Sequence, residues 1–307
     1  MTKITLAIHG LGNIGTHAID CISTSPDLEC IGVIRRPASI GTQQKNLQGV
    51  QDFPSLDALI KATTKPDAII ICAPSRAMPN IAKDYLARAI NTVDSFDIHA
   101  EIPALVGDLN AVASEHGTVA VTAAGWDPGT DSALRAYFEA IVPTGTTFTN
   151  FGPGRSMGHS VAARNIEGVA DALSITMPMG SSRHSRLVYI VPKDGASHDD
   201  IKTRLAADAY FCKDPLDVRF LTTPEELHTV ADNSHGVLIE RLGASGSTSN
   251  QKLQFDMRIT NPALTAQVTV ACARATTRLA AGCYTLIDIP PVALLPGERM
   301  GHIARLV

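Results

Sequence analysis

The feature that most constrains this chain is a glycine fingerprint near its amino end. Residues 3–9 form a short apolar run that predicts a buried strand, and Gly10-Leu11-Gly12-Asn13-Ile14-Gly15 follows at once. Helix-compatible sequence at residues 14–23 and a second strand pattern at residues 28–34 come next. Strand, Gly-x-Gly-x-x-Gly, helix and strand in this order predict a dinucleotide-binding fold.

The six residues of the fingerprint, Gly10, Leu11, Gly12, Asn13, Ile14 and Gly15, are predicted to bind the cofactor. Gly10 allows a tight turn, Gly12 lets backbone approach a pyrophosphate, and Gly15 lets helix and strand pack closely. The helix start then offers free N–H groups and the positive end of its dipole to the phosphates. The alternative is a loop that needs glycine only for its own conformation.

Two arginines, Arg35 and Arg36, end the second strand pattern, where an NAD enzyme usually carries an acid that binds the ribose 2′-hydroxyl. An acid there would repel a 2′-phosphate, whereas a guanidinium holds a phosphate through two hydrogen bonds. The pair therefore favours NADP over NAD. A solvated surface pair is the alternative interpretation.

Strand and helix patterns continue to alternate, which predicts a parallel, doubly wound sheet of the Rossmann type. A third strand, at residues 67–72, leads into Ala73-Pro74-Ser75, which is predicted to contact the cofactor because ligands bind at the carboxyl ends of such strands. Helical periodicity at residues 78–89 and 102–116 alternates with strand patterns at residues 92–97 and from residue 119 onward.

An apolar run that begins at Val119 ends in Gly125-Trp126-Asp127-Pro128-Gly129, where proline and two glycines make further strand pairing unlikely. Asp97 and Asp127 both follow strand ends, so they are expected on the ligand edge of the sheet. Two neighbouring acids suit a cationic substrate group, because a bound ammonium relieves their mutual repulsion. For Asp97 alone, capping of a helix start is an equally good interpretation.

The second half of the chain has a different pattern and predicts an α+β domain built on a mixed or antiparallel sheet. Strand candidates lie at residues 172–177, 186–191, 217–221, 237–242 and 252–259, residues 155–160 are interpreted as a loop, and residues 262–281 are compatible with a long helix. The predicted domains are residues 1–124 and residues 125–284, with a tail from about residue 285 to 307 that returns to the first domain.

Composition restricts the class of protein. A net charge of −4 argues against nucleic acid or acidic membranes as partners, and the six cysteines form no Cys-x-x-Cys motif, so no metal site is predicted. The amino terminus enters a strand pattern without a signal-peptide core, and no apolar stretch is long enough to cross a bilayer. We therefore expect a cytoplasmic protein.

Several motifs taken together resemble those of the meso-diaminopimelate dehydrogenase family. They are the glycine fingerprint, Arg35-Arg36, residues 92–99, Gly125-Trp126-Asp127-Pro128-Gly129, residues 151–160, 176–178, 184–186, 234–236 and 261–262, and the tail at residues 284–296. The resemblance spans essentially the whole chain. It implies NADP-dependent oxidative deamination of meso-2,6-diaminopimelate at its D-centre to L-2-amino-6-oxopimelate and ammonia, a reversible reaction of lysine biosynthesis. It also implies a homodimer whose second domain binds substrate and mediates dimerisation.

The resemblance assigns three residues to the reacting D-centre of the substrate and two more to positions along the substrate. Asp97 and Asp127 would hold the reacting amine, and Trp126 would form a wall of the pocket. Met157 and Gly158 would lie along the substrate, with backbone N–H groups reaching a carboxylate. Because the amine must lose a proton before hydride transfer, Asp97 or Asp127 is also the predicted catalytic base.

Four further residues, Thr176, Arg186, His235 and Asn261, are assigned by the resemblance to the distal L-centre, chiefly to its carboxylate. Arginine and hydrogen-bond donors suit that end of the substrate, just as acids suit the amine end. Structural alternatives are a strand-surface charge for Arg186 and turn-forming roles for His235 and Asn261.

Two departures from the family pattern leave the substrate range open. Met157 stands where some members carry a polar residue, and the segment between Thr176 and Arg186 is shorter than in those members. A flexible apolar side chain tolerates varied substrates, which favours a broader NADP-dependent D-amino-acid dehydrogenase as a second hypothesis. A non-catalytic NADP-binding regulator is the third, although it would have little use for two acids in a pocket.

Overall fold

The computed structural model of the chain describes residues 3–42, 44–181, 183–230 and 234–307. The chain forms two compact units, one of residues 1–134 with 262–307 and the other of residues 135–261. Residues 125–134 and 262–284, which the sequence analysis assigns to the second domain, thus lie in the first compact unit.

The helices of the described residues are α1 (Asn13–Ser23), α2 (Leu56–Ala62), α3 (Met78–Ala87), α4 (Ile102–His116), α5 (Thr130–Ile141), α6 (Met157–Arg164), α7 (His198–Ala207), α8 (Pro224–Val230), α9 (Asn261–Thr276), α10 (Pro291–Leu294) and α11 (Arg299–Leu306). Short 3-10 helices occur at Pro37–Ser39, Gln44–Leu47 and His99–Glu101. The strands are β1 (Ile4–His9), β2 (Leu28–Ile34), β3 (Asp52–Phe53), β4 (Ala68–Ile71), β5 (Asn91–Asp94), β6 (Val119–Val121), β7 (Thr144–Phe151), β8 (Gly154–Arg155), β9 (Val169–Gly180), β10 (Arg183–Pro192), β11 (Leu216–Phe220), β12 (Ser234–Ser245), β13 (Thr248–Thr260) and β14 (Gly282–Tyr284).

The first unit contains a seven-stranded parallel sheet with strand order β14-β6-β5-β4-β1-β2-β3. Strands β2 and β3 follow on one side of β1, whereas β4, β5 and β6 follow on the other side. The switch point between β1 and β4 is where such sheets bind ligands. Buried apolar residues pack against both faces of the sheet. Both sides of a strand such as Ala68–Ile71 are therefore buried, which is why its sequence is continuously apolar. The predicted Rossmann-type sheet is confirmed.

The second unit contains two smaller sheets. One has the order β11-β10-β9-β8 and mixes parallel and antiparallel pairs, and the other is antiparallel with the order β13-β12-β7. This agrees with the predicted α+β domain. The loop expected at residues 155–160 is wrong in part, because helix α6 begins at Met157. The backbone N–H of Ser160 donates to the backbone oxygen of Ser156 at 2.9 Å, which closes the first turn of that helix.

Within residues 3–42, 44–181, 183–230 and 234–307, none of the helices combines the length and apolar character that crossing a bilayer requires.

Candidate active site

The glycine fingerprint forms the turn between β1 and α1. Gly10 has a φ of +95°, and a Cβ atom added there would lie 2.5 Å from the carbonyl oxygen of Cys72. Only glycine therefore fits where the loop crosses the end of β4. Gly12, in contrast, has open space above its Cα atom and is exposed. That opening at the start of α1 is where an anionic group can approach the free N–H groups of the helix.

A cavity of about 570 Å³ lies at the carboxyl edge of the parallel sheet. Seven of the eleven predicted cofactor residues line it, namely Gly10, Leu11, Gly12, Arg35, Arg36, Ala73 and Pro74. Asn13, Ile14, Gly15 and Ser75 are not among its lining residues. The size of this cavity and its glycine-lined end suit a dinucleotide, and Arg35 and Arg36 make its lining basic.

The two arginines that follow β2 have different environments. The buried guanidinium of Arg35 donates 2.8 Å hydrogen bonds to the carboxylate of Asp52 and to the backbone oxygen of Thr42. It also donates to the Thr42 hydroxyl at 3.2 Å. The side chain of Arg36 is exposed. Arg35 thus holds the loop that follows β2, and Arg36 is the more accessible cation of the pair.

Two hydroxyl residues of that loop, Ser39 and Thr42, also line the cavity, although the sequence analysis did not identify them. They were missed because serine and threonine in a loop have no distinctive spacing. Their position beyond Arg35-Arg36 is the only sequence signal that points to them, since phosphate sites commonly combine arginine with hydroxyl donors.

The first predicted acid, Asp97, follows β5 and is exposed. Its carboxylate accepts a 2.6 Å hydrogen bond from the hydroxyl of Ser75, which belongs to the loop after β4. The neighbouring residues of that loop, Ala73 and Pro74, line the cavity. The hydrogen bond therefore joins an acid of the predicted substrate pocket to the loop that borders the predicted cofactor site.

A third acid, Asp94, lies beneath the two loops that carry the predicted acids and was not singled out from the sequence. Its fully buried carboxylate accepts hydrogen bonds from the backbone N–H of Phe96 (3.0 Å), the hydroxyl of Thr122 (2.8 Å) and the backbone N–H of Ala123 (3.4 Å). Burial raises the pKa of Asp94 to about 6, although these hydrogen bonds partly oppose the shift. One carboxylate thus ties the exit loop of β5 to the exit loop of β6.

The segment Gly125-Trp126-Asp127-Pro128-Gly129 forms a tight turn after β6. The backbone N–H of Gly125 donates to the oxygen of Pro128 at 3.0 Å, and the peptide between Asp127 and Pro128 is cis. A Cβ atom at Gly129, whose φ is +140°, would lie 2.1 Å from the oxygen of Gly125. Trp126 is buried and Asp127 is half-buried.

In the second unit, Thr176 and Arg186 are directly opposite each other on the antiparallel strands β9 and β10. The guanidinium of Arg186 donates to the hydroxyl of Thr176, and through Nε to the carboxylate of Asp214 at 2.7 Å. The Arg186 side chain is 14% exposed, which excludes the solvated surface charge considered as its alternative. The pair forms a hydrogen-bonded site that is suited to recognising an anion.

The loop between β7 and α6 approaches the same strands. A Cβ atom added at Gly152 would lie 2.5 Å from the oxygen of Thr176, and the Gly152 N–H donates to the oxygen of Gly236 at 2.6 Å. Met157 and Gly158 form the first turn of α6, and Gly158 is exposed. His159 is the next residue of α6, and its Nδ1 atom lies 2.8 Å from the Ser156 hydroxyl.

Burial and then the positive charge of Arg186 hold the pKa of His159 below its ordinary value. His159 therefore lies within electrostatic range of the Arg186 site, which the sequence analysis did not anticipate.

The last two predicted residues of the second unit are His235 and Asn261. His235 precedes Gly236 on β12 and pairs with Ile259 on β13, and it is half-buried. Asn261 follows two residues after that partner, at the start of α9. The fold thus brings Thr176, the Gly152 loop and His235 to adjacent backbone positions. Among the described residues, no group of three or more His, Cys, Asp or Glu side chains is arranged to hold a metal ion.

Comparison with known proteins gives two family models that match this chain. Residues 4–93 match the oxidoreductase family with an NAD-binding Rossmann fold, and residues 125–182 match the diaminopimelic acid dehydrogenase C-terminal domain. The meso-diaminopimelate D-dehydrogenase of Bacteroides fragilis is 46% identical over 307 residues, which cover 100% of both chains.

Two solved structures are similar over 100% of both chains. The DAP dehydrogenase of Corynebacterium glutamicum in complex with DAP has a TM-score of 0.72 and 29% identity. An engineered D-amino acid dehydrogenase bound to NADP+ has a TM-score of 0.69 and 27% identity.

Proposed function

The chain belongs to the meso-diaminopimelate D-dehydrogenase family, and from this premise we propose how its residues act on the substrate. The family resemblance seen in the motifs is confirmed, and the protein is an NAD(P)-dependent Rossmann oxidoreductase. The reaction is oxidative deamination of meso-2,6-diaminopimelate at its D-centre. Diaminopimelate, NADP+ and water give L-2-amino-6-oxopimelate, NADPH, ammonium and one proton, reversibly, as a step of lysine biosynthesis.

The observation that carries the proposal is the hydrogen bond between Ser75 and Asp97. It fixes an acid of the exit loop of β5 against the loop after β4, which borders the dinucleotide-sized cavity. An amine bound by Asp97 would therefore lie beside the cofactor site, as hydride transfer requires. A regulator that only senses a dinucleotide has no use for such an arrangement.

NADP is the cofactor that the residues of the cavity fit best. Arg36 is an exposed cation just after β2, and Ser39, which lines the same cavity, supplies a hydroxyl donor. The Thr42 hydroxyl donates to the backbone oxygen of Ser39 at 2.7 Å and so holds the loop in place. Arg35 supports this site by holding the Thr42 loop through Asp52. The related engineered dehydrogenase has NADP+ bound, which is consistent with this choice.

The charge of Arg36 and the position of Arg35 lead to separate expectations. Arg36→Ser should raise the KM for NADP by about ten- to a hundredfold and leave the KM for NAD nearly unchanged, because a charge-assisted phosphate contact is lost. Arg35→Ser should instead lower the thermal unfolding temperature, because Asp52 and Thr42 lose their partner. Equal KM values for NADP in Arg36→Ser and the unchanged protein would contradict this assignment of the phosphate contact.

Proton transfer at the amine is the chemical task of the acidic loops. When bound, the nicotinamide ring of the cofactor accepts the hydride from the D-carbon of the substrate. Asp97 and Asp127 bind the ammonium, and one of them takes a proton so that the amine is neutral before hydride leaves. Trp126 forms an apolar wall that limits water around the reacting carbon.

The second unit recognises the L-centre of the substrate, which is distal to the reacting carbon. Arg186, oriented by Thr176 and Asp214, binds the L-centre carboxylate, with His235 and Asn261 as further hydrogen-bonding residues. The backbone of Met157 and Gly158, at the start of α6, donates to a carboxylate. A substrate that lacks the distal carboxylate loses the Arg186 contact, so this group favours diaminopimelate over simpler D-amino acids.

We also propose a homodimer in the cytoplasm, where the dinucleotide pool and the amino-acid substrate are available. Tyr137 and Ile141 on α5 and Leu242 on β12 are exposed apolar residues of the isolated chain, which supports an association surface in the second unit. A net charge of −4 gives no support for a nucleic-acid partner.

The experiment that tests the function compares NADP reduction with the meso, LL and DD isomers of diaminopimelate. Because the acidic loops recognise a D-centre and Arg186 an L-centre, only the meso isomer should react at a high rate. Equal rates with the meso and DD isomers would contradict the role of the L-centre.

A broader D-amino-acid dehydrogenase is the second candidate function. The similarity to an engineered D-amino acid dehydrogenase and the methionine at position 157 favour it. Rates with D-amino acids that have a single carboxylate, measured beside meso-diaminopimelate, separate the two functions. A preference for the simple D-amino acids would identify the broader enzyme.

A further inference from the structure

The floor of the dinucleotide cavity contains a histidine at the end of β1. His9 is the last residue of that strand, and it pairs in register with Ile34 on β2 and Ile71 on β4. It lines the cavity between the glycine fingerprint and the loop that carries Arg36. A half-buried imidazole at this position can present one ring nitrogen to a ligand in the cavity.

The orientation of the His9 ring is fixed by Tyr85 of α3. The Nδ1 atom of His9 lies 2.6 Å from the Tyr85 hydroxyl, and the two rings pack edge to face with centroids 5.7 Å apart. Tyr85 is buried. With Nδ1 engaged in this way, Nε2 is the ring nitrogen that remains for a ligand.

The protonation of the pair follows from its surroundings. Burial lowers the pKa of His9 and raises the pKa of Tyr85, so the imidazole is neutral and the phenol keeps its proton at neutral pH. A phenol O–H is more acidic than a neutral imidazole N–H, so Tyr85 is the donor in their hydrogen bond. The ring proton of His9 is then on Nε2, and that atom is a hydrogen-bond donor.

Strand alternation indicates on which face of the sheet the His9 side chain lies. Ile8 packs in the same core cluster as Ala18 and Ile19 of α1, the helix whose start is predicted to bind the pyrophosphate. His9 points to the opposite face of the sheet, toward Tyr85 of α3. The cavity that His9 lines is also lined by Ala77, just before α3, and by the loop of Arg36, the residue proposed to bind the 2′-phosphate of the adenosine half.

We propose that His9 is a further cofactor-binding residue, whose Nε2–H donates to an acceptor oxygen of the adenosine half of NADP while Tyr85 fixes the ring. The assignment rests on the proposed function only in taking NADP as the ligand of the cavity. Ribose hydroxyls and phosphate groups supply the oxygen acceptors that such a donor recognises. His9 would then act together with Arg36 on the same half of the molecule.

The test measures binding without catalysis. Isothermal titration calorimetry would give the Kd for NADP and for adenosine 2′,5′-bisphosphate, which contains the adenosine half alone. His9→Val removes the donor and should raise both Kd values by about five- to tenfold. His9→Gln places an amide N–H near the position of Nε2 and should recover most of that loss.

The support from Tyr85 has its own variant and control. Tyr85→Phe keeps the ring but frees Nδ1, so both Kd values should rise by about two- to threefold. Tyr284→Phe is the matched control, because it removes an exposed hydrogen bond from a tyrosine hydroxyl to the backbone oxygen of Ala280, and Tyr284 does not line the cavity. Its Kd values should equal those of the unchanged protein.

A purely structural His9–Tyr85 pair gives a different result. Thermal unfolding temperatures would fall in His9→Val and Tyr85→Phe while both Kd values stayed unchanged, and the assignment would be overturned. It would also be overturned if His9→Gln bound as weakly as His9→Val. If the unchanged protein reduces NADP with diaminopimelate but His9→Val binds equally well, only the His9 assignment fails. If the unchanged protein binds no NADP, the proposed cofactor fails as well.

Discussion

The acidic loops of the first unit, which carry Asp97 and Asp127, differ from the Arg186 group of the second unit, which is Arg186 with Thr176 and Asp214. The functional side chains of the two regions are held by different kinds of contact. Asp97 accepts a hydrogen bond from a neutral hydroxyl, and the loops around it are joined by the buried carboxylate of Asp94. Arg186, in contrast, forms an ion pair with Asp214 and also donates to Thr176. An acid that is oriented by a neutral hydroxyl suits proton transfer, whereas an arginine held on two sides suits geometric recognition.

This contrast matches the two proposed tasks. The amine end of the substrate must change its protonation state during the reaction, so its acids need neutral support that leaves their charge available. The carboxylate end keeps its charge throughout, so a fixed cation is sufficient there. Substitutions at each end of the proposed substrate site test this division.

The strongest test of the acidic end is Asp127→Asn. Loss of a group that binds or deprotonates the amine should lower kcat by roughly a hundredfold or more. Steady-state kinetics with meso-diaminopimelate and saturating NADP would measure the effect. Asp108→Asn, an exposed acid on α4 that pairs with Lys83, is the matched control. Unchanged turnover in Asp127→Asn would remove Asp127 from the chemistry.

The carboxylate end is tested by Arg186→Met. The KM for meso-diaminopimelate should rise by about ten- to a hundredfold, since a charge-assisted hydrogen bond contributes about 1.5–3 kcal/mol. The KM for a D-amino acid with a single carboxylate should change little, because that substrate has no group for Arg186. A similar rise for both substrates would show that Arg186 acts on the whole pocket.

Asp214→Asn tests whether the ion pair between Arg186 and Asp214 is needed to orient the guanidinium. The amide keeps an oxygen that can accept from Nε of Arg186 but removes the negative charge, so the KM for meso-diaminopimelate should change by only about two- to fivefold. The kinetic assay used for Arg186→Met applies here. A loss as large as that of Arg186→Met would mean that the ion pair, and not the arginine alone, determines recognition.

The smallest effect on turnover is expected for Asp94→Asn, whose main consequence is for stability. Folding raises the pKa of Asp94 from 3.8 to about 6, so the folded state binds a proton more tightly than the unfolded state. The associated stabilisation is complete below pH 3.8 and is lost as pH rises to about 6. It amounts to roughly 3 kcal/mol, because a tenfold change in proton affinity is about 1.4 kcal/mol.

Urea unfolding between pH 4 and pH 7 would measure this effect. Asn cannot ionise but keeps an oxygen acceptor for Phe96, Thr122 and Ala123, so the variant should lose this part of the pH dependence. An unchanged difference in unfolding free energy between pH 4 and pH 7 would show that Asp94 does not titrate in this range.

The glycine fingerprint could be interpreted from sequence because its constraints are local. A Gly-x-Gly-x-x-Gly turn between a strand and a helix has one common geometry, and Gly10 adopts the positive φ that this turn needs. The Gly-Trp-Asp-Pro-Gly turn was recognisable for the same reason. Asp94 was overlooked because a buried acid next to an exposed one gives no signal until the neighbouring strand is placed beside it.

The sequence by itself determined the parallel Rossmann-type sheet, the position of the glycine loop and the two loops that carry Asp97 and Asp127. These follow from hydrophobic period and from residues whose backbone geometry is restricted. Only the tertiary structure decided that Arg35 is buried against Asp52 while Arg36 is exposed, and that His9 lies against Tyr85. Such differences depend on residues far apart in the chain, so adjacent, chemically identical side chains acquire different roles only after folding.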